Sequence, residues 1–391
     1  MQSLLYTRTY LWRYFNFFLV FLFTVNFIGC AERSDMSGPK TPKLIAASFS
    51  ELLFWDHDNH SFALEALINS CPVLEKKGTK PFGDRMDWKI ICRNAKSTPK
   101  GNSKKARIFF ELSFELKAVQ TANGSTGLIT GYYEPLLRGS LKRSPLFNVP
   151  IYSHPNDLLI VDLGKFKSDL KGKKIFGRIH KGTLSPYYDR SEIERGMLAG
   201  KNLEIVWLDS LVDAFFLHIQ GSGRILLNNG NIIRVGYAGS NGHSYSSIGK
   251  RLILDGEIRR SEMSMQTIKR WMKKNADKAS ALMHKNKSFI FFKEINGPGP
   301  IGALGVPLTP LRSIAVDKNM FPLGLPIWLE TTRPDGIPFN RLMVAQDTGS
   351  AILGAVRADI FWGFGSKAED LAGKMKSSGR YFLLVPRQRT K

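Results

Sequence analysis

The spacing of apolar residues changes character near Gly127, and that change limits what this chain can fold into. Before it, Phe49, Leu52, Leu53, Trp55, Phe62, Leu64 and Leu67 recur at loosely helical intervals over 48–67. Phe109, Phe110, Leu112 and Phe114 repeat the pattern over 106–120. Residues 96–105, rich in Lys, Ser, Pro, Gly and Asn, predict a solvated loop between the two. Beyond Gly127, short apolar runs such as Leu128–Tyr133 and Pro150–Tyr152 are cut by Gly and Pro, which predicts strands up to about Ile233. Helical spacing returns over 264–286, with Ile268, Trp271 and Met272 on one face. A second strand-rich region follows, with runs at 289–292, 303–306, 313–316, 326–330, 342–345 and 380–385. Many short strands joined by Gly and Pro turns predict a barrel or a sandwich.

The 391 residues, 43% hydrophobic, are enough for two domains. The N-terminus carries Arg8 and Arg13 but no acid, then an apolar run from Phe15 to Ile28, then Gly29-Cys30-Ala31. That is the pattern of an export signal. The run falls short of the ~20 residues that span a bilayer, which favours a removed signal over a retained helix. Its end resembles a bacterial lipobox with Cys30 as the lipidated residue, although Phe27 stands where Leu is usual. The polar, Pro-containing stretch 31–43 suits a tether.

The formal net charge of +23 hardly changes on losing residues 1–30, and so much positive charge points to a polyanionic partner. Nucleic acid is excluded by the export signal and by the lack of any nucleic-acid-binding signature. Peptidoglycan, whose stem peptides carry carboxylates, fits the compartment better. Three cysteines without CxxC spacing rule out a thiolate zinc cluster. Cys71 and Cys92 are either a disulfide, as an oxidising compartment allows, or two free core thiols.

Most apparent motifs are bland. Residues 297–302 match GxGxxG, but two prolines interrupt it and no helical pattern follows, so a loop is expected. His57 and His60 lack metal-ligand spacing, and surface or capping roles are expected. His218, among Phe215, Phe216, Leu217 and Ile219, reads as a satisfied strand residue. No GxSxG elbow occurs and neither Cys71 nor Cys92 looks activated. The unusual stretches are 342–352 and 356–365, where Asp347 and Asp359 lie among apolar and glycine residues. An acid beside Ile360, Phe361 and Trp362 is desolvated, which raises its pKa and keeps it protonated, as a general acid requires. The alternative is an aspartate that caps a turn or satisfies backbone amides.

The segments 130–135 (TGYYEP), 220–223 (QGSG) and 237–243 (YAGSNGH), together with both aspartate segments, closely resemble the membrane-bound lytic murein transglycosylase A family over about 44–386. The C-terminal part resembles that family's three-aspartate (3D) domain, with Asp317, Asp347 and Asp359 at the matching places. The departures are Ser350 for a frequent Gly and Glu134 for a Thr of some members. The resemblance implies a mainly β fold with N-terminal helices. It pairs a double-psi β-barrel, from 44–140 and 286–391, with an inserted β domain over 141–285 and a groove between them.

It further implies cleavage of the β-1,4 bond between N-acetylmuramic acid and N-acetylglucosamine to give 1,6-anhydro ends, without metal or cofactor. Asp359 would be acid and then base, Asp347 supporting and Asp317 structural. Thr130, Tyr132, Tyr133, Gln220, Ser222, Tyr237, Asn241 and His243 would bind the glycan. The partners implied are peptidoglycan strands, the membrane through a lipid on Cys30, and cell-wall synthesis proteins. The place is the periplasm of a Gram-negative bacterium, on the outer membrane. Two alternatives stay open: a non-catalytic polysaccharide-binding protein that loosens the wall, and a two-carboxylate hydrolase with Glu134 or Asp347 as second acid.

Overall fold

The computed structural model describes residues 42–122, 124–297 and 299–387. The expected signal, Cys30 and almost all of the tether lie outside these residues. The first strand, Lys43–Ala47 (β1), leads into three helices, His60–Lys77 (α1), Arg85–Ser97 (α2) and Ser103–Ser113 (α3), and then to Phe114–Gln120 (β2) and Gly127–Glu134 (β3). α2 has Trp88, Ile91, Cys92 and Ala95 on its buried face, the i, i+3, i+4, i+7 stripe of a packed helix. Its Cys92 is disulfide-bonded to Cys71 of α1, which resolves the two readings of these thiols.

The next strands are Leu136–Ser140 (β4), Val149–Tyr152 (β5), Leu159–Asp162 (β6), Lys174–His180 (β7), Thr183–Pro186 (β8), Glu204–Leu208 (β9), Ser222–Leu227 (β10), Ile232–Ser240 (β11) and Ile290–Glu294 (β12). They form a six-stranded sheet in the order β12-β11-β10-β4-β9-β5 and a small antiparallel sheet β6-β7-β8. Pairing therefore places the change of sheet at Pro135, and the second sheet runs to Glu294, somewhat beyond the 141–285 drawn from sequence.

The last strands are Ser313–Val316 (β13), Pro326–Thr332 (β14), Pro338–Asp347 (β15), Ala358–Phe364 (β16) and Lys376–Pro386 (β17). With β3 they close a barrel, β3-β17-β14-β15-β13-β16 and back to β3. Closure depends on β17, whose start pairs with β3 while its later residues pair with β14 on one side and β2 on the other. At the seam Gly379 faces Gly127. A Cβ on Gly379 would sit 2.6 Å from Ile129 Cγ1 and 2.9 Å from Glu330 O, so no larger residue lets the strands meet there.

Barrel strands read as continuous apolar runs because both faces are buried. Ile327, Leu329, Met343 and Leu383 point into the barrel, whereas Trp328, Leu342, Val344 and Leu384 point outward into the layer of α1–α3. The two layers also share an ion pair: Arg312 before β13 donates through both Nη1 and Nη2 to Asp58 at 2.7 Å, with each side chain 4% exposed. Asp58 also accepts from the Leu342 amide.

Several expectations give way. The helix predicted over 106–120 ends at Ser113, and 114–120 is a strand that buries Phe114, Leu116 and Val119 while its other residues are more exposed. His218 lies on the helix Leu211–Gln220 rather than on a strand, because the consecutive apolar residues around it reflect burial on several sides, which the two periods do not distinguish. Residues 303–306 form turns, broken by Gly302 and Gly305. His60 is buried, with its ring edge-on to Trp55 at 4.2 Å and Nδ1 against the Asp58 carbonyl. Among the described residues no helix is long and apolar enough to cross a membrane.

Replacing Asp58 by Ala leaves the Arg312 guanidinium buried without its counter-charge, a change that costs about 3–5 kcal/mol. Urea denaturation of Asp58→Ala beside the parent is expected to show a loss of that size, with no change in the disulfide.

Candidate active site

β3 and β16 run parallel, and their register sets Thr130 beside Asp359 and Tyr132 beside Phe361. Ile129 and Tyr133 on β3, like Ala358 and Ile360 on β16, are buried in the barrel core. Strand alternation therefore turns Thr130, Tyr132 and Asp359 to the outer side of the barrel wall. Asp347 ends β15.

Thr130 Oγ1 donates to Asp359 Oδ1 at 2.7 Å. Among the described residues this is the one hydrogen bond that Asp359 receives, so Oδ2 is left for a ligand. The side chain is partly exposed, yet burial dominates its titration and pushes its pKa up to about 6. The Arg357 guanidinium and the Thr130 hydroxyl pull the other way, and the nearby Asp347 charge adds to the rise. The group is thus protonated in an appreciable fraction near neutrality, and once it loses its proton Arg357 and Thr130 stabilise the anion.

Asp347 is held differently. Its Oδ1 accepts from the Ala303 and Thr348 amides, each at 2.9 Å, and its Oδ2 accepts from the Tyr132 hydroxyl at 2.8 Å. Burial raises its pKa too, but all three donors favour its anion. The Tyr132 phenol is kept protonated by burial and by Asp347, and its ring lies 5.3 Å from that of Phe361. Burial raises both carboxyls, but their surroundings differ: Asp359 has a single hydroxyl donor, whereas Asp347 has three donors that favour its anion.

Asp317, 5% exposed, accepts from the Asn319 amide through Oδ1 and the Gly354 amide through Oδ2. It fastens the loop between β15 and β16. Gln220, at the end of the helix Leu211–Gln220, accepts from the Tyr133 amide at 3.0 Å and so joins the second domain to β3. Ser222 is buried at the start of β10, and Tyr237 is 53% exposed on β11.

Two predicted ligand-binding residues serve architecture instead. The Tyr133 side chain is 2% exposed and belongs to the barrel core. Asn241, 1% exposed, donates through Nδ2 to the Tyr188 and Lys287 carbonyls and accepts the Phe289 amide, leaving nothing for a glycan. His243 is tied through Nε2 to the Tyr187 carbonyl at 2.7 Å.

Sequence reasoning missed Arg357, next but one to Asp359, and misjudged Glu134. Glu134 is 1% exposed and accepts from Arg224 Nε at 2.8 Å and from Arg234 Nη2 at 2.7 Å, so it is no free second carboxylate. A cavity of about 540 Å³ lies in the second domain among Tyr152, Arg190, Trp207 and His218, and none of the three aspartates lines it.

The fold and site define a β-barrel protein with an inserted second sheet and a single poised carboxylic acid on the barrel wall. Comparison with known proteins is specific. The MltA specific insert domain matches residues 128–293 and the 3D domain matches 312–385. Membrane-bound lytic murein transglycosylase A of Escherichia coli (strain K12) is 35% identical over 263 residues, 65% of this chain and 64% of that relative. The Vibrio cholerae protein of the same name is 31% identical over 283 residues, 69% of each. The chain thus spans about two-thirds of the length of the curated relatives it matches. A membrane-bound lytic murein transglycosylase from Agrobacterium tumefaciens superposes with a TM-score of 0.80 at 34% identity, over 88% of this chain and 98% of that one. E. coli MltA with bound chitohexaose gives 0.65 at 26% identity, over 90% and 96%. The chain belongs to the membrane-bound lytic murein transglycosylase A family.

The raised pKa has a stability consequence of fixed sign. Folding favours the protonated form of Asp359, so its contribution is fully present below the ordinary 3.8 and is lost as pH rises through about 6. Above that range the ionised acid costs up to about 2–3 kcal/mol, less for its partial exposure. Asp359→Asn is expected to melt above the parent at mildly alkaline pH and to lose that advantage in acid, as paired thermal melts would show.

Proposed function

We propose that this protein is a lytic transglycosylase that cleaves the β-1,4 bond between N-acetylmuramic acid and N-acetylglucosamine in peptidoglycan. The observation that carries the reading is the Asp359 carboxyl, raised to a pKa of about 6, with Thr130 on one oxygen and the other unoccupied by protein. The names of the relatives and the chitohexaose in the E. coli neighbour support an extended glycan as ligand.

In this reading Asp359 donates its proton to the glycosidic oxygen as the C1–O bond breaks. Asp347, whose three donors favour its anion against the upward pull of burial, supports the positive charge developing at C1. The Asp359 carboxylate then takes the proton of the C6 hydroxyl as that oxygen bonds to C1, which closes a 1,6-anhydro ring and restores the acid. The nucleophile belongs to the substrate, so the protein's task is to orient the sugar and exclude water. Tyr132 orients Asp347. Gln220, Tyr237 and His243 are assigned to the glycan path on the second-domain side, through their accessible atoms, whereas the buried Ser222 is not.

A two-carboxylate hydrolase needs a second acid free to activate water. Glu134 is enclosed by two arginines and Asp347 has three donors, which weighs against it. A wall-loosening binder has no use for an acid poised near neutrality. The barrel domain of this reading is 44–134 with 295–386, and the inserted domain lies between. We place the protein in the periplasm, anchored to the outer membrane by a lipid on Cys30 after removal of the signal, and acting beside cell-wall synthesis proteins.

Protein starting at Ala31, incubated with peptidoglycan, is expected to release anhydro-muropeptides by mass spectrometry. Asp359→Asn is expected to lower the rate about a hundred- to ten-thousandfold. Reducing ends carrying solvent oxygen would point to hydrolysis instead, and binding without release to the loosening protein. The rate should fall as pH rises through about 6. Thr130→Val removes a hydrogen bond that lowers the pKa of Asp359, so that limb of the pH profile should move to higher pH.

A further inference from the structure

The small sheet β6-β7-β8 has an outer face of unusual composition. The register pairs Leu159 with Gly177, Val161 with Ile175, Ile179 with Leu184 and Gly177 with Pro186. Cross-strand partners share a face, and side chains alternate along each strand. Leu159, Val161, Ile175, Ile179, Leu184 and Pro186 therefore lie together on one face, with the backbone of Gly177 between them. The other face packs on the body of the second domain: Phe176 joins the buried cluster of Tyr187 and Phe291, and Gly242 comes so close to Phe176 that a Cβ there would lie 2.2 Å from it.

An antiparallel sheet with one face on a core normally presents polar residues on the other. Here the outward face is aliphatic and open to solvent, with Ile179 61% exposed and Ile175 and Leu184 each more than 40%. The connection between β6 and β7 extends the apolar surface with Phe166, 75% exposed, between Lys165 and Lys167. Lys171 and Lys173 follow in the same connection, Lys174 opens β7 and Lys181 lies in the opposite turn, all exposed. None of these six lysines forms an ion pair among the described residues. A contiguous apolar face rimmed by unpaired cations is the composition of a surface that meets the headgroup layer of a membrane.

We propose that the outer face of the β6-β7-β8 sheet docks on an anionic lipid surface. The aliphatic side chains and Phe166 enter the boundary between headgroups and acyl chains, and the lysines meet the lipid phosphates. A second copy of this chain fits less well, because two such faces would bring their lysine rims together. A glycan fits less well too, since sugar hydroxyls call for hydrogen-bonding and aromatic partners, whereas this face offers branched aliphatics. The surface uses none of the residues assigned to cleavage and is independent of any lipid on Cys30.

The test uses protein starting at Ala31, which retains every described element and lacks Cys30. It is co-sedimented with phosphatidylcholine vesicles with and without phosphatidylglycerol, at moderate salt. Binding to the anionic vesicles is expected to exceed binding to the neutral ones by about tenfold or more. Ile179→Ser with Leu184→Ser should weaken it by about tenfold, while melting temperature and peptidoglycan cleavage stay as in the parent. In Phe166→Trp protein, tryptophan emission should shift to the blue on adding anionic vesicles. Three results would each overturn the proposal. The parent could stay in the supernatant. The double serine variant could bind as tightly as the parent, which would mean mere adsorption of a basic protein. The parent could also self-associate without lipid in a way that the double variant abolishes, which would assign the face to a second copy. Cleavage lost in the parent together with intact vesicle binding would count against the enzymatic reading alone.

Discussion

The geometry of the site rests on one buried carboxylate, Glu134. It ends β3, four residues beyond Thr130, and receives Arg224 from β10 and Arg234 from β11. Arg224 also lies over the Phe364 ring, 3.6 Å from guanidinium carbon to ring centroid, and Phe364 is the residue of β16 in register with Glu134. One cluster therefore grips both strands that carry Thr130 and Asp359 and fixes them to the second sheet. Gln220, taking the Tyr133 amide, adds a neutral bond beside it. A buried charge shared by two cations is a costly way to hold two layers together, but its loss leaves guanidinium groups without a counter-charge where the domains meet. What the arrangement secures is direction, since arginine forks accept little misalignment.

Within that frame, the titration of Asp359 follows from where strand alternation puts it. Its chain neighbours Ala358 and Ile360 face the barrel interior, so the carboxyl emerges on the outer wall between Thr130 and Arg357. Desolvation by the wall raises the pKa, and one hydroxyl with one guanidinium keeps the rise to about 6. Backbone amides on Asp359, like the two on Asp347, would draw it toward the anion. The difference between the two aspartates is thus a difference in how many backbone donors reach each of them. Asp317 contributes at one remove by fastening the loop that leads from one to the other.

Much of this was legible in the sequence where local pattern governs. The strand 313–316 was read to the residue, and 326–330 and 342–345 fall inside β14 and β15, because barrel strands buried on both faces are short apolar runs bounded by Gly and Pro. An aspartate beside Ile, Phe and Trp announced its own desolvation. What could not be read was nonlocal. Asn241 sits in the segment YAGSNGH, which looks made for a ligand, yet its amide ties together backbone from Tyr188, Lys287 and Phe289, all far away in sequence. Gly242 beside it is small because Phe176 of the β6-β7-β8 sheet presses on its backbone. Tyr133 differs from Tyr132 only by the parity of a strand whose inward face cannot be known before its partners are. His218 reads as a strand residue from sequence because Phe215, Phe216, Leu217 and Ile219 around it fit either period.

The net charge of +23 acts on a different scale from the site. Several acids are committed to buried or half-buried pairs, Asp58 with Arg312, Glu134 with two arginines, Glu194 with Arg190 and Glu330 with Arg380, so unpaired lysines dominate the surface. Exposed charges farther away than about 8 Å are screened at physiological salt, so these lysines scarcely alter the proton on Asp359, which answers to Arg357 and to its own burial. Their summed field still draws an anionic polymer or an anionic membrane toward the protein. Long-range attraction and the protonation of Asp359 are therefore separable: surface lysines set the first, while burial by the barrel wall, Arg357, Thr130 and Asp347 set the second.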